Sequence, residues 1–247
     1  MKGLLEPIVD IAIAAGDAIM MRYHRHIEVL EKADLSPVTE ADLAANMIIL
    51  EQLSRLTPNI PILSEESVHT DWQQRQHWGS FWLVDPLDGT KEYIRRNGEF
   101  TVNIALIEKG VPILSVVHAP ALGKTWLADG KNAWLQTQGS RNIIKVRAAS
   151  IPTVVGSRSH PSPDLAAFLA QLGEHKLVEV GSSLKFCLVA EGRAQFYPRL
   201  GPTMMWDTAA GHCVATSAGA TVSMLDGSEL TYHRPHLLNA SFIVQVV

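Results

Sequence analysis

The sequence predicts a mixed fold, α+β in its first half and α/β in its second. Three observations carry this. Apolar residues recur at helical spacing in 4–23 and 40–56. Short β-like runs with turn signals between them then crowd residues 60–146. From about residue 147 strand-like and helix-like segments alternate.

In the first helix Leu4, Ile8, Ile11, Ala12, Ala15 and Ile19 share a face. Leu43, Met47, Leu50, Leu53 and Leu56 repeat the pattern in the second, which Pro58 stops and for which Thr39 is a good N-cap. Ile60–Leu63 and Phe81–Val84 read as short strands. Val102–Glu108, Ile113–His118, Thr125–Ala128, Ala133–Thr137 and Asn142–Val146 then read as an antiparallel meander, punctuated by Gly110-Val111-Pro112, Asp129-Gly130 and Gly139-Ser140. In the second half the expected strands are Val154–Gly156, Leu177–Val180, Ala194–Tyr197 and Thr221–Val222. The expected helices are Asp164–Leu172, Ser182–Glu191 and Asp207–Gly219. The boundary is placed at 147/148, with a ligand site between two closely joined halves.

Composition narrows the function. The chain has 247 residues, 47% of them apolar and 19% charged, with a net charge of -4 and no basic run longer than Arg95-Arg96. Non-specific grip on nucleic acid or an anionic membrane is therefore not expected. Glu6, Pro7 and Asp10 interrupt any secretory h-region, and no window approaches a membrane-spanning length of apolar residues. Cys187 and Cys213 fit neither a zinc pattern nor a CxxC motif and read as buried free thiols, in keeping with a cytoplasmic protein. Peripheral association with the inner membrane and a homodimer are left open.

The chemistry concentrates where apolar runs end in carboxylates. Phe81-Trp82-Leu83-Val84 is followed by Asp85-Pro86-Leu87-Asp88-Gly89-Thr90, and Ile62-Leu63-Ser64 by Glu65-Glu66. Asp42 stands three residues after Thr39, and Trp206-Asp207 opens a helix of small residues. Each has a plain structural explanation: a surface turn, a solvated loop, a capping-box variant, an N-cap. If these carboxylates converge, however, their repulsion must raise their pKa values or be cancelled by a cation. For oxygen ligands the hard-cation choice is Mg²⁺, with Mn²⁺ the alternative. Walker, GxSxG, HExxH and GxGxxG motifs are all missing from the sequence.

Asp85-Pro-Leu-Asp88-Gly-Thr90 resembles the first signature of the inositol monophosphatase superfamily, and Trp206-Asp207-Thr-Ala-Ala-Gly211 resembles its second. Glu65, twenty residues before Asp85, and Thr39-x-x-Asp42 match the family's earlier acids. Gly89-Thr-Lys91-Glu92, the stretch Arg96–Ala105, Ser157-Arg-Ser-His160 and Gly181-Ser-Ser-Leu-Lys185-Phe-Cys are similar to the CysQ-type 3'(2'),5'-bisphosphate nucleotidases. The resemblance implies a layered αβαβα sandwich of the inositol monophosphatase/fructose-1,6-bisphosphatase type. Residues 1–147 would carry most metal ligands and 148–247 would form the substrate half.

It further implies that Glu65, Asp85, the Leu87 carbonyl, Asp88 and Asp207 hold two or three Mg²⁺ ions, with Li⁺ as an inhibitor. Asp42, Thr90 and Glu65 would activate water. Contacts to a small nucleotide bisphosphate would come from Glu65, Leu87, Asp88, Gly89, Thr90, Ser157, His160, Ser183, Lys185, Arg199 and Asp207. The implied reaction is hydrolysis of the 3'-phosphate of adenosine 3',5'-bisphosphate, with its sulfated analogue a second candidate substrate. An inositol-phosphate or sugar-bisphosphate phosphatase, and a silent nucleotide sensor, remain alternatives.

Overall fold

The structure is a computed structural model, and the residues described are 3–25, 27, 29–31, 37–67, 70–159 and 164–246. The chain opens with helix α1 (Leu5–Tyr23), the short antiparallel pair β1 (Val29–Glu31) and β2 (Pro37–Thr39), and helix α2 (Glu40–Leu56). Next come β3 (Ile62–Ser64), a single helical turn α3 (Trp72–Arg75), β4 (Ser80–Asp88) and the short helix α4 (Thr90–Ile94). Strands β5 (Thr101–Glu108), β6 (Val111–Ala119), β7 (Lys124–Ala128), β8 (Ala133–Thr137) and β9 (Ser140–Ile144) complete a seven-stranded sheet in sequential order, antiparallel except for the β3–β4 pair.

The second half contributes β10 (Thr153–Ser157), α5 (Asp164–Leu172), β11 (Lys176–Val180), α6 (Leu184–Ala190), β12 (Phe196–Arg199), α7 (Met205–Ser217), β13 (Thr221–Met224) and β14 (Phe242–Gln245). Its five strands run in the order β11-β10-β12-β14-β13, parallel in β11-β10-β12 and antiparallel at β14.

The layers follow from strand alternation. On the large sheet, Trp82, Val84, Ile104, Leu106 and Val116 face α1 and α2, packing with Ile8, Ala12, Ala45 and Ile49. Phe81, Leu83, Ala105, Ile107 and Val117 face the other way, against Ala209, Ala210, Cys213 and Val214 of α7. Helix α6 lies beside α7, and Phe186 reaches the small sheet at Tyr197 and Phe242. On that sheet's far side Phe168 of α5 meets Phe196. The result is an αβαβα sandwich, with α6 and α7 as its central layer.

Several elements differ from the sequence reading. β4 does not stop at Val84 but runs to Asp88 through an irregularity in its pairing with β5 between Asp85 and Asp88. Proline is tolerated there because β3 pairs with β4 only as far as Val84, so no ladder needs an N–H from Pro86. β14, the β1–β2 pair and the one-turn helices α3 and α4 are not anticipated by periodicity, since each is too short or depends on a distant partner. Helix α7 begins at Met205, with Met204 as N-cap. Asp207 is therefore not the cap but the third residue inside.

Candidate active site

The carboxylates lie at the open ends of elements from both halves. Glu65 follows β3, Asp85 and Asp88 end β4, and Asp207 lies in the first turn of α7. One carboxylate oxygen each from Glu65, Asp85 and Asp207 falls within 4.8 Å of the others. Burial, together with the charges of Glu65, Asp88, Asp207 and Asp42, pushes the Asp85 carboxyl well above its ordinary value. Burial, Asp88 and Glu65 do the same to Asp207. Three acidic oxygens gathered this closely are a donor set for a hard divalent cation.

Asp85, Asp207 and Asp88 are each held through one carboxylate oxygen. Asp85 Oδ1 accepts the Leu87 N–H at 3.0 Å. Asp207 Oδ2 accepts the Met204 N–H at 2.9 Å, which is the capping-box contact. Asp88 Oδ2 takes the Ser183 N–H at 2.6 Å, the Ser183 hydroxyl at 2.8 Å and the Asn103 amide at 3.2 Å. Burial raises the Asp88 carboxyl, and Lys185, Ser183 and Asn103 oppose the shift.

Thr39 and Asp42 form a helix cap and more. Thr39 gives both its N–H (2.8 Å) and its hydroxyl (2.6 Å) to Asp42 Oδ2. Asp42 Oδ1 then accepts the Thr90 hydroxyl at 3.2 Å, across 48 residues of sequence. Because Thr90 spends its proton on Asp42, its oxygen lone pairs are left to accept from a group in the cleft. Burial raises the Asp42 carboxyl, and the three hydrogen bonds hold it back.

Gly89 makes the corner between β4 and α4. Its φ is +93°, and a Cβ there would sit 3.2 Å from the Glu99 carbonyl and 3.3 Å from Ser182 Cβ, so both conformation and space call for glycine. The Leu87 side chain is buried, and its carbonyl lies 3.5 Å from the Thr90 hydroxyl.

All of this opens into one cleft of about 700 Å³, lined by Glu65, Asp85, Asp88, Thr90 and Asp207 together with Lys185, Arg199 and Ser157. Lys185 is almost fully buried. Its ammonium donates to the Ser182 carbonyl at 2.5 Å, lies 5.6 Å from the Tyr197 ring centre, and is pushed down to about 8 by burial, with Asp88 opposing. Arg199 is tied to its own turn, Nε to the Gly201 carbonyl (3.1 Å) and Nη2 to that of Pro202 (2.5 Å). Met204, Trp206 and Leu238 supply an apolar wall.

One expectation changes. The sequence reading places Ser183 against substrate. It is instead buried behind the acids, where its hydroxyl also lies 2.6 Å from the Asp207 carbonyl, so it braces Asp88. Its neighbour Ser182 lines the cleft, at φ +47°. His160 lies outside the described residues. The reading also misses Asn103. Thr101 and Asn103, polar at i and i+2 in an apolar strand, were the available signal, because both then share the face of Asp88.

Carboxylates set at element ends around a hard-cation position, in an αβαβα sandwich, define a class of site. Residues 2–245 match the inositol monophosphatase family, and the chain belongs to it. Among its relatives, the 3'(2'),5'-bisphosphate nucleotidase CysQ of Salmonella typhimurium is 55% identical over 246 residues, covering 98% of this chain and 100% of the relative. The CysQ nucleotidase of Escherichia coli K12 is 54% identical with the same coverage. The crystal structure of CysQ from Bacteroides thetaiotaomicron matches with a TM-score of 0.89 at 38% identity, over 100% of this chain and 98% of the other.

Proposed function

We propose that the chain is a 3'(2'),5'-bisphosphate nucleotidase that hydrolyses the 3'-phosphate of adenosine 3',5'-bisphosphate to AMP and phosphate. The observation that carries this is a two-ended cleft. Clustered acids and Thr90, which is bonded to the buried Asp42, line the same cavity as Lys185 and Arg199. A substrate with two phosphates fits that division, one at the acids through cations and one at the bases. The full-length likeness to CysQ nucleotidases supports the same substrate.

Glu65, Asp85, Asp88, Asp207 and the Leu87 carbonyl would hold Mg²⁺. When bound, the ions would polarise the phosphoryl oxygens and make water more acidic. The chain's own groups do the rest. Thr90, its proton already committed to Asp42, accepts a proton from the attacking water, and the buried Asp42 receives it in turn. Gly89 and the first N–H groups of α4 face the phosphoryl oxygens. Lys185 and Arg199 take the 5'-phosphate, and Met204 and Leu238 offer the base an apolar surface. Cys187 and Cys213 are free and buried, in keeping with a reducing cytoplasm.

The test is phosphate release from adenosine 3',5'-bisphosphate, inositol 1-phosphate and fructose 1,6-bisphosphate, each with Mg²⁺, with EDTA and with Li⁺. The nucleotide should be fastest, EDTA should stop release and Li⁺ should slow it. Faster release from inositol 1-phosphate would reassign the substrate, and nucleotide binding without release would make the protein a sensor. Asp88→Asn should keep the fold, because its carbonyl still accepts from Ser183, yet lose turnover. Wild-type turnover in that variant at saturating Mg²⁺ would sink the metal assignment.

A further inference from the structure

Residues 231–240 carry no regular helix or strand, yet their polar groups are tightly engaged. Arg75 of α3 donates to the carbonyls of Arg234 (3.3 Å) and Pro235 (2.8 Å). Arg234 in turn donates to the Leu238 carbonyl at 2.7 Å and to Asn239 Oδ1 at 2.5 Å. The chain of contacts ends on Asn239, which is only 6% exposed.

Everything Asn239 donates to lies at the start of α7. Its backbone N–H bonds the Thr203 carbonyl at 2.8 Å. Its amide nitrogen faces the Met204 carbonyl at 2.8 Å, the Thr203 hydroxyl at 3.0 Å and the Thr208 hydroxyl at 3.1 Å. The Thr203 carbonyl and the Met204 N–H are two ends of one planar peptide unit. The far end of that unit donates to Asp207 Oδ2 at 2.9 Å.

We infer that Asn239 is a positioning residue for Asp207. It fixes the plane of the Thr203–Met204 peptide from one side, and that plane fixes the Asp207 carboxylate from the other. The hydrogen bonds run in one direction, from the Asn239 N–H to the Thr203 carbonyl and from the Met204 N–H to the carboxylate, so each polarises the next. Asp207 Oδ2 is thereby held, which fixes the carboxylate that lies beside those of Glu65 and Asp85. The side chain holds the groups on either side of that unit, the Thr203 hydroxyl and the Met204 carbonyl. Without it the peptide keeps its backbone bond but loses both flanking restraints and can rock, and the carboxylate with it. Such outer contacts typically set metal affinity by about 10–100-fold.

The inference rests on Asp207 being a cation ligand, and the experiment separates the two ideas. Mn²⁺ binding to the full chain is titrated by the EPR signal of free Mn²⁺, well below the melting temperature of every variant. Wild type, Asp207→Asn, Asn239→Ala and Arg234→Gln are compared. Asn239→Ala should weaken Mn²⁺ binding by about tenfold or more and lower kcat more than it raises KM. Mn²⁺ affinity within twofold of wild type, with only a lowered melting temperature, makes Asn239 a loop anchor and overturns the inference. Unchanged Mn²⁺ binding in Asp207→Asn removes the ligand assignment, and the inference falls with it. If Asn239→Ala does not fold, Arg234→Gln decides. It frees Asn239 Oδ1 and leaves the amide in place, so it should weaken Mn²⁺ binding in the same direction by a smaller factor. Wild-type affinity there overturns the inference.

Discussion

Gly211→Ala tests how closely the central layer must fit. In α7 a Cβ at Gly211 would lie 2.6 Å from Cγ and Cδ2 of Phe186 and 2.8 Å from its Cβ. Ordinary carbon contacts are about 3.5–4.0 Å, so α6 and α7 must part by roughly 1 Å. Phe186 cannot swing clear, because Tyr197 packs edge-on at 5.1 Å and Phe242 stacks at 5.8 Å. Overpacking of this kind costs about 1–3 kcal/mol, and alanine in mid-helix returns about 0.5–1 kcal/mol. The clash includes the root of the ring, which places the cost at the upper end, so about 2 kcal/mol remains. For a chain of this size that lowers the melting temperature by about 4–8 °C. Ser183 stands immediately before α6 and holds Asp88, so Mg²⁺-dependent phosphate release at 20 °C should fall as well. Gly79→Ala is the control. Nothing lies within 4 Å of its Cβ and its φ is ordinary, so stability should stay within about 0.5 kcal/mol. A Gly211→Ala protein as stable as wild type would refute the packing argument.

Thr90→Val keeps the volume and removes the hydroxyl, so kcat should drop by about 10²–10⁴, with a smaller change in KM; a kcat within twofold of wild type removes Thr90 from water activation. The Lys185 ammonium, pushed down to about 8, is charged below that pH and neutral above it. For the bisphosphate, kcat/KM should therefore fall as pH rises through about 8, and Lys185→Met should have a raised KM and lack that limb. Persistence of the limb in the variant would clear Lys185 of the role. Asp85, Asp88 and Asp207 are all raised, so the metal-free fold binds more protons than the unfolded chain, and its stability falls as pH rises beyond the ordinary carboxylate range. Added Mg²⁺ should raise the melting temperature more at pH 7.5 than at pH 5 by scanning calorimetry; an equal rise at both would contradict a site built from these acids.

Helix α1 was legible because it buries the expected stripe, and the Thr39 cap because its chemistry is local. Helix α2 was found with the wrong face: Leu43 and Met47 are exposed, and it buries Ala41, Asp42, Ala45, Asn46, Ile49 and Leu53, a face of small and polar residues that a stripe of large apolar ones does not mark. The course of β4 beyond Val84 was not. Asp-Pro and Asp-Gly signal a turn, and only the early end of β3 at Ser64 explains why a strand tolerates proline there. β14 was hidden for a related reason, since its partners β12 and β13 lie well back in the chain. At the site, the motifs exposed Glu65, Asp85, Asp88 and Asp207 because metal chemistry restricts residue type. Ser183 misled because a serine beside a phosphate site and a serine bracing an aspartate look alike in sequence. Asn239 was invisible, since nothing in its neighbours points 31–36 residues back to Thr208, Met204 and Thr203.

The acid cluster is assembled from distant parts of the chain: Glu65 and Asp85 come early, and Asp207 about half the chain later. During synthesis the large sheet is complete well before α7 emerges, and until then the face bearing Phe81, Leu83, Ala105 and Ile107 lacks its cover. Docking of α7 closes that face and delivers the third acid in one event. Such long-range closure is a slow step and leaves the nascent chain exposed to aggregation while it waits. It also means that a truncated or half-folded chain has no complete cation site. A cation held by these three acids would therefore load only finished molecules.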